Sequence, residues 1–593
     1  MQICSLSISV LAVIGLNEIN HISWCRKRGI RKTMLMPSHL LFLRGTMGAL
    51  KGGLITILLL FVVAASPCCR YAHRYHTASL PGDIYVHDGF SCDGLGKREI
   101  EKRVKAIISS IRDDKYYPEL DIFDPDDGTV FPRDLGSHTF IWQDQYLHST
   151  EWLITIGFEG NNRTICVLTD KNRWTPQRDL WELIKENSIE KRAHITVLGV
   201  NSQKDYEITT KGTISISTSK DEVGAPLFYL HMPLPFAYAK KHPERSRWCL
   251  GDVSSYEQPP IIMDNLPVCA NCHSFSRDGK LFGMDMDYKE DKGAYVVTPV
   301  SEEISITADD FISWNDLQRS GTSESMGLFS QISPDGRYIV STVKETSFFT
   351  MIPDLDFSQF FFPIRGLLAC YSLDENRFFT LAGADDPHYV QTCPAWSPDG
   401  TCIVFSKARV DQRLLDVIGD KGYIDIEPDV RIFDLNKQYQ IQFDLYRIPF
   451  NDGQGGTPAP LTGASNNGKS NYFPRYSPDG KWIVFTQSTT GLAIQPDSQL
   501  CIIPAKGGTA RRLDCNTDIM NSWHSWSPNS RWLVFTSKIN SPYTQLFLTH
   551  IDENGNDSPP VLLSRFSSDE YACMVPEFVD IRQGAIKRIR LID

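Results

Sequence analysis

A five-residue turn recurs through the second half of this chain and constrains its fold more than any other feature. The copies are Phe275-Ser276-Arg277-Asp278-Gly279, Ile332-Ser333-Pro334-Asp335-Gly336, Trp396-Ser397-Pro398-Asp399-Gly400, Tyr476-Ser477-Pro478-Asp479-Gly480 and Trp526-Ser527-Pro528-Asn529-Ser530. Apolar runs such as Cys402-Ile403-Val404-Phe405 and Trp482-Ile483-Val484-Phe485 follow them, so each unit reads strand, tight turn, strand. Proline pre-sets the turn, and Asp-Gly is expected to supply its positive φ angles. A degenerate sixth copy, Pro576-Glu577-Phe578, matches Pro394-Ala395-Trp396 and Pro474-Arg475-Tyr476 but lacks the turn. Six units at a mean spacing of roughly 60 residues predict a six-bladed β-propeller over 261–593. Its innermost strands should contain Phe275, Ile332, Trp396, Tyr476, Trp526 and Phe578.

The first unit carries a second signal. Cys269-Ala270-Asn271-Cys272-His273 runs straight into Phe275. Cys-x-x-Cys-His is the spacing by which two thiols bond to haem vinyl groups while the histidine ligates iron. The motif predicts one covalent haem c, with Cys269 and Cys272 as thioether residues and His273 as the proximal ligand. Zinc would need a second pair at matching spacing, and the other members of the fifteen cysteines are scattered without one. A thioredoxin-type pair would open a helix, whereas these units are all strand. The plain alternative is a disulfide between Cys269 and Cys272.

Aligned repeats place His524 two residues before Trp526, as His273 stands before Phe275, and put Met574 two residues before Pro576. His524 and Met574 are therefore candidate distal ligands, with Met284 and Met286 in the first unit as further sulfur donors. The competing roles are a histidine hydrogen-bonded within the channel and ordinary core packing.

Upstream, Lys97 to Arg112 places Ile100, Val104, Ile107, Ile108 and Ile111 on one helical face. Short β-branched runs then alternate with turns, including Trp152–Phe158, Thr164–Leu168, His194–Val200 and Gly212–Ser217. They predict a small antiparallel, Ig-like β-sandwich over 120–225, interrupted by a helix near Asp179–Lys185. Residues 67–119 form a helical lead-in, and the Pro- and aromatic-rich 226–260 reads as an ordered connector.

Residues 1–66 read as an N-terminal extension with an export signal. Leu54 to Ala65 is an apolar run after Arg44 and Lys51, too short to span a bilayer comfortably. Val63-Ala64-Ala65 predicts cleavage before Ser66, with membrane anchoring through Leu54–Ala65 as the alternative. Met47 stands where such a signal would begin. Cys68 and Cys69 follow Pro67, which makes a poor lipid-attachment box. An exported protein of the periplasm or cell envelope is expected. Apolar content of 41% and charged content of 22% suit a globular chain, and the net charge of −11 argues against a nucleic-acid partner.

The repeat resembles the WSPDG unit of TolB-like propellers, over residues 269–593. More broadly, 120–593 looks like an exported family that joins a sandwich, a single Cys-x-x-Cys-His and TolB-like blades. The resemblance implies architecture and a cofactor, with no activity attached. No Gly-x-Ser-x-Gly elbow accompanies the blades, which excludes the prolyl-oligopeptidase arrangement. Three functions fit: an electron carrier or redox sensor with an unidentified envelope partner, a haem enzyme with an open iron position, and an envelope binding scaffold whose cysteine pair is structural. Carrier and scaffold rank above enzyme, because no pocket residues stand out in the sequence.

Overall fold

The computed structural model describes residues 83–87, 96–112, 114–145, 148–318 and 324–592. The signal or anchor at Leu54–Ala65, the cysteines Cys68 and Cys69, and Met47 lie outside them. Among the described residues, no helix is long and apolar enough to cross a membrane.

Six four-stranded antiparallel blades make the propeller, the second and third joined by one parallel bridge from Gly366 to Val390. All six expected innermost strands are present: Ala270–Phe275, Leu328–Ile332, Tyr389–Trp396, Ser470–Tyr476, Asn521–Trp526 and Tyr571–Phe578. The first five are followed in sequence by their own outer strands. The sixth is not. Tyr571–Phe578 pairs with Leu227–Pro233, and Arg247–Gly251 and Ile261–Met263 complete that blade. Residues 226–260, expected as a connector, thus supply outer strands of blade six. A parallel pair between Glu303–Ile306 and Arg588–Leu591 ties the C-terminal segment to blade one as well.

The recurring turn is held by its side chains as much as by its backbone. In each copy the serine hydroxyl donates to the acid or amide two residues on, as Ser397 Oγ does to Asp399 Oδ1 at 2.6 Å and Ser477 Oγ to Asp479 Oδ1 at 2.6 Å. The same hydroxyl accepts the backbone N–H that opens the next strand, from Cys402 and Trp482 at 3.0 Å each. Only the last residue of the turn is left-handed, at φ 70° for Gly400 and 74° for Gly480. The aspartate therefore serves through its carboxylate, not through a positive φ. A Cβ on either glycine would meet nothing within 4 Å, so backbone strain alone opposes substitution there. Gly400→Val or Gly480→Val should destabilise the protein by about 1–3 kcal/mol. An unchanged melting temperature would count against that origin.

The N-terminal sandwich pairs a six-stranded sheet with the three strands Asp121–Asp124, Phe140–Gln143 and Arg173–Trp174. Its edges are mixed rather than wholly antiparallel, because Ile84–Val86 and Thr129–Phe131 each join in parallel. The helix Lys97–Ser109 lays Ile100, Val104 and Ile107 on one face of the large sheet, against Leu153, Leu168 and Leu198. Arg178–Asn187 is the expected inserted helix; it buries Trp181 and Ile184 in the core between the two sheets. That core runs on into blades five and six through Trp532, Leu548, Tyr229 and Phe578. The junction is also polar: Trp532 Nε1 donates to the Asp221 carbonyl at 3.3 Å and Asn529 Nδ2 to that of Glu222 at 2.6 Å.

Candidate functional site

Each inner strand carries a bulge three residues before its motif aromatic. The residues at that point are Cys272, Phe329, Cys393, Phe473, Trp523 and Val575. Phe329, Cys393, Phe473, Trp523 and Val575 are left-handed, at φ 59°, 52°, 49°, 46° and 43°. Around all six the ladder register slips. A bulge re-aims a side chain and bends its strand, and repeated six times at one level it builds a ring across the channel. Phe473 stacks on Trp523 with centroids 4.6 Å apart, and Phe329 meets Phe473 edge-on at 5.2 Å.

The ring divides the channel into two spaces. All six of its residues line a small inner chamber of about 200 Å³. Cys272, Phe329, Trp523 and Val575 also line an outer cavity of about 1360 Å³. On the turn side of the propeller, Arg277 stands where the other turns have proline. Its guanidinium donates to the Pro398 carbonyl at 2.8 Å and to that of Pro478 at 3.4 Å, linking blades one, three and four. The outer cavity is walled by the long blade-two hairpin, Tyr338–Met351 with Gln359–Ser372, and by residues after the helix Gln412–Ile418, among them Tyr423.

Cys269 and Cys272 both lie on the outer-cavity wall as free thiols. Burial, then the neighbouring Asp285, pushes the Cys272 thiol above its usual range; burial, then Asp287, does the same to Cys269. Both thiols are protonated at neutral pH.

His273 is brought to the same strand but faces elsewhere. Its side chain is 2% exposed and sits in a slot toward blade six, edge-on to Phe228 at 4.6 Å and Trp248 at 5.1 Å. Nε2 comes within 3.2 Å of Glu577 Oε2, but off the hydrogen-bond axis, and neither ring nitrogen makes a hydrogen bond. A buried imidazole with no hydrogen bond at either nitrogen is unusual, since buried polar atoms generally have one.

His524 occupies the equivalent point in blade five, and it too faces the preceding blade. Its Nε2 lies 3.1 Å from the Val484 carbonyl, and burial holds its pKa down to about 3, so it stays neutral. The rings of His273 and His524 thus make their contacts in different interblade slots, although both residues also border the inner chamber. Met574 lines the outer cavity with the two cysteines. Met284 and Met286 are buried in the core between blades one and six, Met284 directly across the ladder from His273.

The ring and the Arg277 bridge between turns were missed in the sequence, as were two acids on the outer-cavity wall, Asp285 and Glu345. The ring had a readable signal: the alignment that matched His273 with His524 also stacks its six members one position earlier. Among the described residues, no group of three or more His, Cys, Asp or Glu side chains is gathered as for a metal ion.

Strand order and channel together define a six-bladed β-propeller with a divided channel, docked on a β-sandwich. No family model matches the chain, and no curated protein matches it. Solved structures similar to it include a putative TolB from Agrobacterium tumefaciens, at 15% identity over 57% of this chain and 88% of that one, with a TM-score of 0.31. An oligogalacturonate lyase from Vibrio parahaemolyticus matches at 12% identity over 51% of this chain and 69% of that one, TM-score 0.32. A chain of a nidogen/laminin complex matches at 8% identity over 60% and 98%, TM-score 0.34. At such values no activity carries over, and the six blades rest on the strand pairing itself.

Proposed function

We propose that this is an exported haem-c protein with an electron-transfer or redox role, its single haem seated in the outer cavity. The observation that carries the reading is a Cys-x-x-Cys pair on the wall of a 1360 Å³ cavity, followed directly by a buried His273 whose ring nitrogens make no hydrogen bond, Nε2 facing only the Glu577 carboxylate. Cys269 and Cys272 would each add S–H across a vinyl double bond, which needs no oxidant and releases nothing. Bound there, a haem supplies a one-electron iron couple. To ligate the iron, the His273 ring has to turn out of its slot; it gives up packing on Phe228 and Trp248 and the contact with Glu577, but no hydrogen bond. Met574 is the distal candidate on the cavity wall, while His524 is engaged by the Val484 carbonyl.

The slot also supports a second reading, a TolB-like envelope scaffold without haem, in which His273 is a packing residue. Protein made with cytochrome c maturation machinery separates the two. A pyridine haemochrome spectrum and a one-haem mass increase are expected for the wild type, and both should be lost in Cys269→Ser/Cys272→Ser. His273→Ala should keep the covalent haem but change its spectrum. A wild-type mass without the adduct, beside a control cytochrome that acquires it, leaves the scaffold.

A further inference from the structure

We propose that the outer cavity binds an organic cation, an amphiphilic primary amine whose ammonium group is seated at Asp285 and Glu345. Asp285 lies on the second strand of blade one, where its Oδ1 accepts from Ser330 Oγ at 2.8 Å. Glu345 comes from the blade-two hairpin and is 5% exposed. Its Oε1 accepts the Met326 backbone N–H, which alone would make it a structural cap; its Oε2 is buried with no hydrogen-bond partner. Both residues line the outer cavity, close enough that Glu345 contributes to raising the Asp285 carboxyl.

The backbone is built to put Glu345 there. The hairpin register slips between Val343 and Thr346, and Lys344 takes a left-handed φ of 51°. Opposite, Gly366 leaves room: a Cβ there would come within 3.2 Å of the Glu345 Cβ.

The chemistry of the wall selects the ligand. Its titratable groups are Asp285, Asp287, Glu290, Glu345 and Asp425 against Lys240 and Lys292, an excess of three acids, and a cation at Asp285 and Glu345 would favour their ionised forms. An unpaired buried carboxylate oxygen calls for a donor bearing positive charge. Only these two acids are buried together, and no third ligand completes a metal shell among the described residues. Around them the wall is aromatic, with Phe329, Phe349, Phe361 and Trp523, which suits an alkyl chain and attracts a cation.

The proposal does not rest on haem, and the haem content of the same sample is read separately from its absorbance. Calorimetric titration of the full chain with n-octylammonium, n-octanol and n-octanoate is the test. Octylammonium should bind more tightly than either analogue, and Glu345→Gln should weaken it at least tenfold while leaving octanol unchanged. Asp285→Asn should do the same if Glu345→Gln fails to fold. Equal binding of octanol or octanoate, absence of octylammonium binding, or wild-type affinity in the folded variants would overturn the proposal.

Discussion

Glu345→Gln is expected to make the protein more stable at pH 8, by about 3 kcal/mol, and to leave it unchanged at pH 4. Burial raises the Glu345 carboxyl to about 7, against the lowering effect of the Met326 and Gly327 backbone N–H groups and, last, of Lys344. An unfolded glutamate titrates near 4.3. Below that value both states are protonated and the group contributes nothing. Between there and pH 7 the unfolded chain has released its proton while the folded one keeps it, so stability falls as pH rises. Above pH 7 the loss is complete, and a shift of this size corresponds to about 3 kcal/mol. Glutamine keeps the oxygen that accepts from Met326 and removes the charge. Denaturant melts at pH 4, 6 and 8 should therefore diverge progressively between wild type and variant. Parallel curves at all three would mean that the carboxylate is solvated and that its second oxygen is not an unpaired group in the cavity wall.

Removal of residues 571–593 should abolish cooperative folding of the propeller. Tyr571–Phe578 is the inner strand of blade six and the hydrogen-bonded partner of Leu227–Pro233. The same segment buries Ala572, Met574, Val579, Ile586 and Ile589 between blades six and one, and Cys573 and Phe578 against the sandwich. Arg588 adds an ion pair to Asp264 at 2.9 Å, and Arg588–Leu591 its pairing with blade one. Loss of these apolar side chains alone costs on the order of 10 kcal/mol, comparable with the whole stability of a typical domain. The truncated chain should lose its near-ultraviolet circular dichroism and precipitate. A truncated protein that melts in one transition at the wild-type temperature would show that five blades close without the sixth.

Five of the inner strands were legible because the turn demands specific chemistry, and the sixth because Pro576-Glu577-Phe578 keeps the residues that precede the turn. Ser397, Asp399 and Gly400 each satisfy a separate requirement of one small hydrogen-bonded unit, so they recur together. The outer strands of blade six were not legible from any turn motif, since Leu227–Pro233 has its inner partner at the far end of the chain. The degenerate copy at Phe578 held the clue: a strand there with no outer strands after it must borrow them from upstream. The equivalence of His273 and His524 was correct, but their direction was not readable. The bulge hands the channel-facing place to Cys272 and Trp523 and turns the histidines toward the preceding blade. Glu345 was invisible for a similar reason, because in an unbulged strand the side-chain alternation after Lys344 would run differently.

Blade six also sets an order of events during synthesis. Cys269, Cys272 and His273 belong to the first blade made, while Val575, Glu577 and Phe578 come from the last. Until that strand arrives, nothing of it covers the inner-chamber side of Cys272 or stands beside the His273 ring. An enzyme that modifies these thiols, or a reagent that caps them, has its freest access to a nascent chain whose other five blades already exist. Closure then makes the outer cavity the remaining approach, so the order in which the strands arrive decides when each side of the thiols is covered.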